Sequence, residues 1–323
     1  MRGRKVRNIL RWLWFVIVAA LTLGACAPAD DPVVATPPAP AVDDDVAAEH
    51  VRIAFGGRLF DMWYDEVDTG FTPDDPRTPA VDGTGGPNGD GTLNGADGQP
   101  IANTGHDYRL KNLFGWDLRG DAGIYGRAFQ AKEFILPSGP LSPQHAAASR
   151  AQWIGRMTDG ERGLPAYGDV LNVAAIEALV DYMLAVRDGL LPHPDDLYVL
   201  STDAPKGFIL AAGGDAARGR EFYQAQCAEC HGDDATKILF DNGEQTLGMH
   251  ARYYGYAIAM ITLAGEPGSE MGPQLTAGLT AAEQTTTLLD LLAALCDRTR
   301  YPRGAASDPD VPDDDPRCRE YLR

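Results

Sequence analysis

Cys227-Ala228-Glu229-Cys230-His231 is the stretch on which the reading of this chain turns. Thiols three residues apart on a short helical turn point to one side, and the adjacent imidazole shares that side. Three chemistries use such a pair. A redox-active dithiol of the thioredoxin kind needs a parallel-sheet context, and this segment is instead Gly-rich and punctuated by helices. A zinc site needs a second ligand pair, and none has suitable spacing. The remaining reading is covalent haem attachment, in which Cys227 and Cys230 form thioethers and His231 reaches the iron.

Working outward, Gly219-Arg220-Glu221-Phe222-Tyr223 precedes the motif. Downstream, Thr280 and Glu283 make a capping box, and Leu288, Leu291, Leu292 and Leu295 recur at helical spacing. With these flanks, residues 213–298 resemble a class I cytochrome c domain over essentially their full length. The 219–223 segment is similar to that family's first helix, in which the glycine permits close crossing by the last helix, here 284–296. The resemblance implies one covalently attached haem c, His231 as proximal ligand and a methionine on a later loop as distal ligand. Met271, 40 residues after His231 and followed by Gly272-Pro273, stands in that place. Met249 and His250 are only 18 and 19 residues from His231, and Met260 reads as part of a core helix. His250 stays open as the alternative distal ligand.

The N-terminal half repeats the pattern without the motif. Gly57-Arg58-Leu59-Phe60 echoes Gly219-Arg220-Glu221-Phe222, and Ile176, Leu179, Val180 and Met183 mark an amphipathic helix after Asn172, stopped at Gly189. This half resembles bacterial cytochrome c domains that carry Cys-x-x-Cys-His immediately before Gly-Trp-Asp. Here Leu110-Lys111-Asn112-Leu113-Phe114 precedes Gly115-Trp116-Asp117, and Leu164-Pro165-Ala166-Tyr167 stands where Met-Pro-Ala-Tyr is common. Both thiols, the imidazole and the thioether have become apolar, as filling a vacated haem cavity requires. The alternative is that these are ordinary core residues of an unrelated α domain. The expected fold is all-α, with two cytochrome c-like helical domains in tandem, the first lacking the haem motif. Their expected bounds are 49–200 and 213–298, joined by a linker at 201–212. Within the first, Asn88, Asp90, Asn94 and Asp97 partly fit a calcium loop, but Gly86 replaces its first carboxylate, so an exposed insertion is the favoured reading.

The 323-residue chain is 44% apolar, enough for two ordinary domains, and carries a formal charge of -18. Residues 1–25 hold Arg2, Arg4, Lys5, Arg7 and Arg11, then an apolar run too short for a membrane span, and end before Cys26. This ending resembles a bacterial lipobox, which implies a signal peptide at 1–25 and lipid on Cys26. An uncleaved signal anchor is the alternative, and either reading puts the folded part outside the cytoplasm. Residues 26–48, rich in Ala and Pro, are expected as a tether, and 299–323 as an acidic tail. Loss of the basic leader leaves about -23, which argues against nucleic acid and favours a protein partner with a basic docking patch. In an oxidising compartment Cys296 and Cys318 form a disulfide by default, with free thiols as the alternative. The expected function is electron transfer by a lipid-anchored monohaem cytochrome at the cell envelope, passing electrons between redox partner proteins rather than catalysing bond chemistry. A peroxidase-like haem enzyme with an open sixth position, or a structural haem subunit of a respiratory complex, are the other readings.

Overall fold

Helix α1, Asp44–Glu66, starts where Asp43 accepts a hydrogen bond from the Asp45 amide, and it breaks helical geometry at Met62 near its end. It crosses α4, Val173–Arg187, which Asn172 caps through the Ala175 amide at 2.9 Å. The crossing is close because Gly56 sits on the α4 backbone: a Cβ there would lie 2.0 Å from the Ala178 carbonyl oxygen. Between them lie the short α2, Leu110–Phe114, and α3, Arg150–Asp159, the latter held by a complete capping box between Ser149 and Gln152. The computed structural model describes residues 43–103, 107–130, 146–161, 163–240, 243, 245–302 and 316–323. The expected signal peptide, Cys26 and most of the tether lie outside the described residues, as does the 303–315 part of the expected acidic tail.

The C-terminal half repeats the crossing. Helix α6, Ala216–Gln226, meets α9, Ala281–Leu295, at Gly219, where a Cβ would lie 1.9 Å from the Asp290 carbonyl oxygen and 2.9 Å from the Ala294 Cβ. The expected Thr280–Glu283 capping box is formed in both directions, and the four leucines of the α9 stripe are buried. Asp290, itself buried, accepts from the Asp215 amide at 2.6 Å and from the Arg218 guanidinium at 2.8 Å, tying the start of α6 to α9.

The two crossings correct the sequence echo by one residue. Gly219 and the fully buried Tyr223 are matched in space by Gly56 and the fully buried Phe60. Gly57 faces another way, its missing Cβ opposite Ala264 at 2.5 Å. Ala264 ends α8, Leu247–Ala264, which loses helical geometry at Tyr254. The echo sets Gly57, Arg58 and Phe60 on Gly219, Arg220 and Phe222, whereas the packing pairs Gly56 with Gly219.

The molecule is mostly helical, with two small antiparallel ladders. The four-residue helix α5, Pro194–Leu197, leads into strand β1, Tyr198–Leu200, which pairs with β2, Phe208–Leu210, while β3, Leu239–Phe240, pairs with β4, Gln245–Thr246. Hence 201–212, read from the sequence as a polar linker, contains β2: Phe208 and Leu210 are buried, and Phe208 meets Tyr256 of α8 edge-on at 5.1 Å. Tyr125 of the N-terminal half meets the same Tyr256 at 5.7 Å, and Tyr182 of α4 donates to the Met260 sulfur at 3.7 Å. The buried apolar residues of both halves thus form one continuous cluster.

Cys296 and Cys318 are disulfide-bonded, as expected, with Cα atoms 5.8 Å apart. The chain end is further docked where the Gly214 amide donates to Tyr321 Oη at 2.7 Å and the Leu210 amide to the Arg317 carbonyl at 2.9 Å. Among the described residues no helix is long and apolar enough to cross a membrane.

Candidate functional site

The motif comprises Cys227, as N-cap, and the four-residue helix α7, Ala228–His231, set at the end of α6 by local hydrogen bonds. The Cys227 amide donates to the Tyr223 carbonyl at 2.8 Å and the His231 amide to the Cys227 carbonyl at 2.9 Å. Gly232, at φ 84°, ends the turn, its amide reaching the Ala228 carbonyl at 2.8 Å. That positive φ is a position where side chains other than glycine are strained. Tyr223 Oη donates to the Gly232 carbonyl at 2.7 Å, so the tyrosine that fills the helix crossing also anchors the motif. Lys237 Nζ reaches back to the Glu229 carbonyl at 2.8 Å.

Cys227 is buried, Cys230 exposed, and both are free thiols. Burial, with a smaller contribution from the charge of Cys230, pushes the Cys227 thiol up to about 12, so it is present as S–H. His231 is partly buried, which lowers its pKa and keeps the imidazole neutral, the form that binds a metal. Its Nδ1 is buried with no hydrogen-bond partner. A buried polar atom without a partner costs about 1–3 kcal/mol, so an imidazole nitrogen left so beside two reduced thiols fits a group that supplies the missing contact. A protonated Cys227 thiol, a neutral imidazole and a turn that gathers both cysteines with the histidine suit covalent haem.

Phe240 covers the His231 ring, centroids 6.3 Å apart and planes 20° apart, and His250 stacks on Phe240 at 5.0 Å. His250 Nδ1 lies 3.2 Å from Gln245 Oε1, and Tyr254 follows at 5.0 Å. Sequence reasoning did not single out Phe240: a lone aromatic on a two-residue strand carries no periodic signal. Met249 and Met260 are buried in α8, as a core role requires. Met271 is half-buried on the 265–273 loop and lines a cavity of about 420 Å³ together with Val51, Ala54, Arg58 and Glu66 of α1. None of Cys227, Cys230 and His231 is among the residues lining that cavity. The structure therefore gathers the two thiols and the imidazole, and sets Met271 against α1.

The N-terminal half reproduces the motif's backbone. Gly115, at φ 77° and ψ 155°, caps α2 through the Lys111 carbonyl, as Gly232, at φ 84° and ψ 160°, caps α7 through the Ala228 carbonyl. Leu110, Leu113 and Phe114 thus stand at the backbone positions of Cys227, Cys230 and His231. All three are buried, with Phe114 against Trp153 at 6.0 Å, and so are Leu164 and Tyr167. Tyr167 Oη donates to the Tyr108 carbonyl at 2.6 Å. Asp117 is fully buried, accepts from the Ile124 amide at 2.8 Å, and has its carboxyl pushed up to about 6 by burial. In the 82–97 loop, Asn88 Nδ2 donates to Asn94 Oδ1 at 2.8 Å, and Asp90 accepts from Thr92. Two of the expected calcium ligands are thereby engaged with each other. Among the described residues no three His, Cys, Asp or Glu side chains gather as a metal site.

In a mostly helical fold, two cysteines and a histidine are thus gathered on one glycine-ended turn. Residues 214–283 match the family model described as Cytochrome C oxidase, cbb3-type, subunit III, a span that holds the motif and Met271. The match supports a c-type cytochrome with haem c and a general role in haem electron transfer, since domains of this kind are typically electron carriers. No curated protein and no solved structure matches the chain.

Proposed function

We propose that the chain is a monohaem c-type cytochrome that passes single electrons between protein partners outside the cytoplasm, tethered to a membrane by lipid on Cys26. The observation that carries the reading is the gathering of Cys227, Cys230 and His231 on one locked turn, with the buried Nδ1 of His231 lacking a partner. When bound, the haem supplies one-electron chemistry between ferric and ferrous iron. The residues do the rest. Cys227 and Cys230 would hold the group by thioethers. His231 would bind the iron, with Phe240 lying parallel beside the imidazole. Met271 is the proposed distal ligand; its neutral thioether favours the ferrous state.

In this reading residues 213–298 are the working domain and 49–200 a haem-free copy, supported by the matching turns at Gly115 and Gly232 and by the apolar bulk at Leu110, Leu113 and Phe114. The acidic surface suits a partner with a basic docking patch. Counting haems by pyridine haemochrome and intact mass on purified full-length protein tests the proposal: one per chain is expected, and zero or two would sink it. The alternative is a peroxidase-like reading with an open sixth position. A high-spin ferric spectrum would decide for it, and a ferric thioether-to-iron band at the red end of the spectrum against it.

A further inference from the structure

The segment that carries Met271 is short and closed on itself. Its base is tied where the Glu266 amide donates to the Met271 carbonyl at 2.9 Å and the Gln274 amide to the Thr262 carbonyl at 3.0 Å. Ser269 Oγ braces the interior, donating to the Glu266 carbonyl at 3.0 Å and accepting from the Met271 amide at 3.1 Å. Gly265, at φ 94°, leaves no room for a side chain, since a Cβ would lie 2.4 Å from the Met271 carbonyl oxygen. A loop so tied moves as a unit, and what it rests on decides where Met271 goes.

It rests on α1. Arg58 Nη1 donates to the carbonyl of Ala264 at 2.9 Å. That carbonyl is among the last of α8, which have no partner within their own helix, and a cation there also complements the helix dipole. The same guanidinium holds Glu66 through Nε at 2.8 Å, with both side chains mostly buried. The second Glu66 oxygen accepts from the Gly268 amide at 3.4 Å. Close backbone approaches reinforce the seat: Gly57 opposite Ala264, and Gly268, where a Cβ would lie 2.9 Å from the Asp65 carbonyl oxygen. One arginine therefore spans from the end of α8 to the carboxylate that holds the loop's turn.

We infer that the haem-free half is the seat of the distal ligand: the Arg58–Glu66 pair on α1 positions the 265–273 loop and so governs coordination of the haem iron by Met271. The inference rests on the proposed monohaem reading with Met271 as distal ligand, and it gives the silent half a task that requires neither haem nor a partner of its own. Arg58 and Glu66 are positioning residues, acting through the backbone of the loop. Outer partners that orient a metal ligand typically change metal affinity by about 10- to 100-fold when removed. A loosened Met271 yields its place to a competing ligand by the same factor.

The test uses full-length holoprotein, with added imidazole as the competing probe. Arg58→Ala and Glu66→Ala are expected to keep one haem per chain, to weaken the red ferric band and to raise apparent imidazole affinity about tenfold. Arg58→Lys, which can still reach one acceptor, falls between, and Arg150→Ala, whose ion pair with Asp181 lies elsewhere in the same half, leaves imidazole affinity unchanged. Glu66→Gln keeps the size of the side chain and supplies the same readout should either alanine variant fail to fold. Adding Ala264→Gly to Gly57→Ala removes the Cβ that Gly57→Ala would strike, and should return imidazole affinity toward wild type. Folded Arg58 and Glu66 variants with wild-type band and imidazole affinity would overturn the inference. A wild-type protein without one haem would instead refute the proposed function. A Met271→Ala protein with an unaltered spectrum would remove the ligand assignment, and the inference with it, while leaving the haem reading intact.

Discussion

Gly219→Ala should destabilise the protein although alanine is the better helix former. At this position an ideal Cβ would lie 1.9 Å from the Asp290 carbonyl oxygen and 2.9 Å from the Ala294 Cβ. Ordinary carbon–oxygen contacts are near 3.3–3.6 Å, so α6 and α9 must part by roughly 1 Å or more. The obstacle is backbone, and no rotamer change relieves it. A radial gap of about 1 Å forfeits up to about half of the dispersion well of every contact across it, here those of Tyr223 and the α9 leucines. Overpacking of this kind costs about 1–3 kcal/mol or more, against which the helix propensity of alanine returns about 1 kcal/mol. We expect a net loss of about 2 kcal/mol, which lowers a urea midpoint by about 1 M at a slope of about 2 kcal/mol per molar. Gly155, inside α3, is the internal control, because a Cβ there meets nothing within 4 Å. Gly155→Ala should stabilise by about 0.5–1 kcal/mol. Unfolding followed by helical circular dichroism on purified full-length protein measures both. If Gly219→Ala unfolds at or above the wild-type midpoint while Gly155→Ala rises, close crossing is not what selects glycine at 219.

Phe114→Ala empties a buried position beside Trp153 and should cost about 3–5 kcal/mol by the same assay; a loss under about 1 kcal/mol would mean that the N-terminal half is loosely packed there. Asp117 has its carboxyl raised to about 6 by burial, above its ordinary unfolded value, so the native state holds the proton more tightly. Stability from this group is therefore full below about pH 4 and falls by about 3 kcal/mol as pH rises through about 6. Asp117→Asn should flatten that slope, and parallel wild-type and variant curves of urea midpoint between pH 4 and 7 would count against the assignment. Replacing Cys296 and Cys318 together by serine opens a loop with a sequence separation of 22 and should remove about 3 kcal/mol, read as a lower thermal midpoint than oxidised wild type. An unchanged midpoint would mean that the docked contacts of Tyr321 and Arg317 hold the chain end by themselves.

Much of the architecture was legible because its signals are local. The stripes of α4 and α9, the Thr280–Glu283 box and the stop at Gly189 each depend on residues within a turn or two of one another, and each stands where the periodicity places it. The reading of Leu110 to Phe114 as an altered motif rests on the register of the following Gly-Trp-Asp, and Gly115 and Gly232 end α2 and α7 with similar backbone angles. Strand β2 within 201–212 is not legible in the sequence because three residues are too few to show alternation, and Phe208 and Leu210 reveal their role only when Tyr256 is beside them.

The amino-acid order alone marks Cys227, Cys230 and His231 as the candidate site, sets the helical class, and makes a Cys296–Cys318 disulfide the default, because motif spacing, helical period and cysteine count are properties of the chain. Tertiary structure decided three other things: that Gly56 rather than Gly57 makes the first crossing, that Cys227 is buried while Cys230 is exposed, and that the Met271 loop is seated on α1. Each of these compares residues far apart in the chain. Arg58 and Ala264 are linked by one hydrogen bond across more than two hundred residues, and such a contact leaves no trace in local spacing because it is selected by the packing of the helices that carry it.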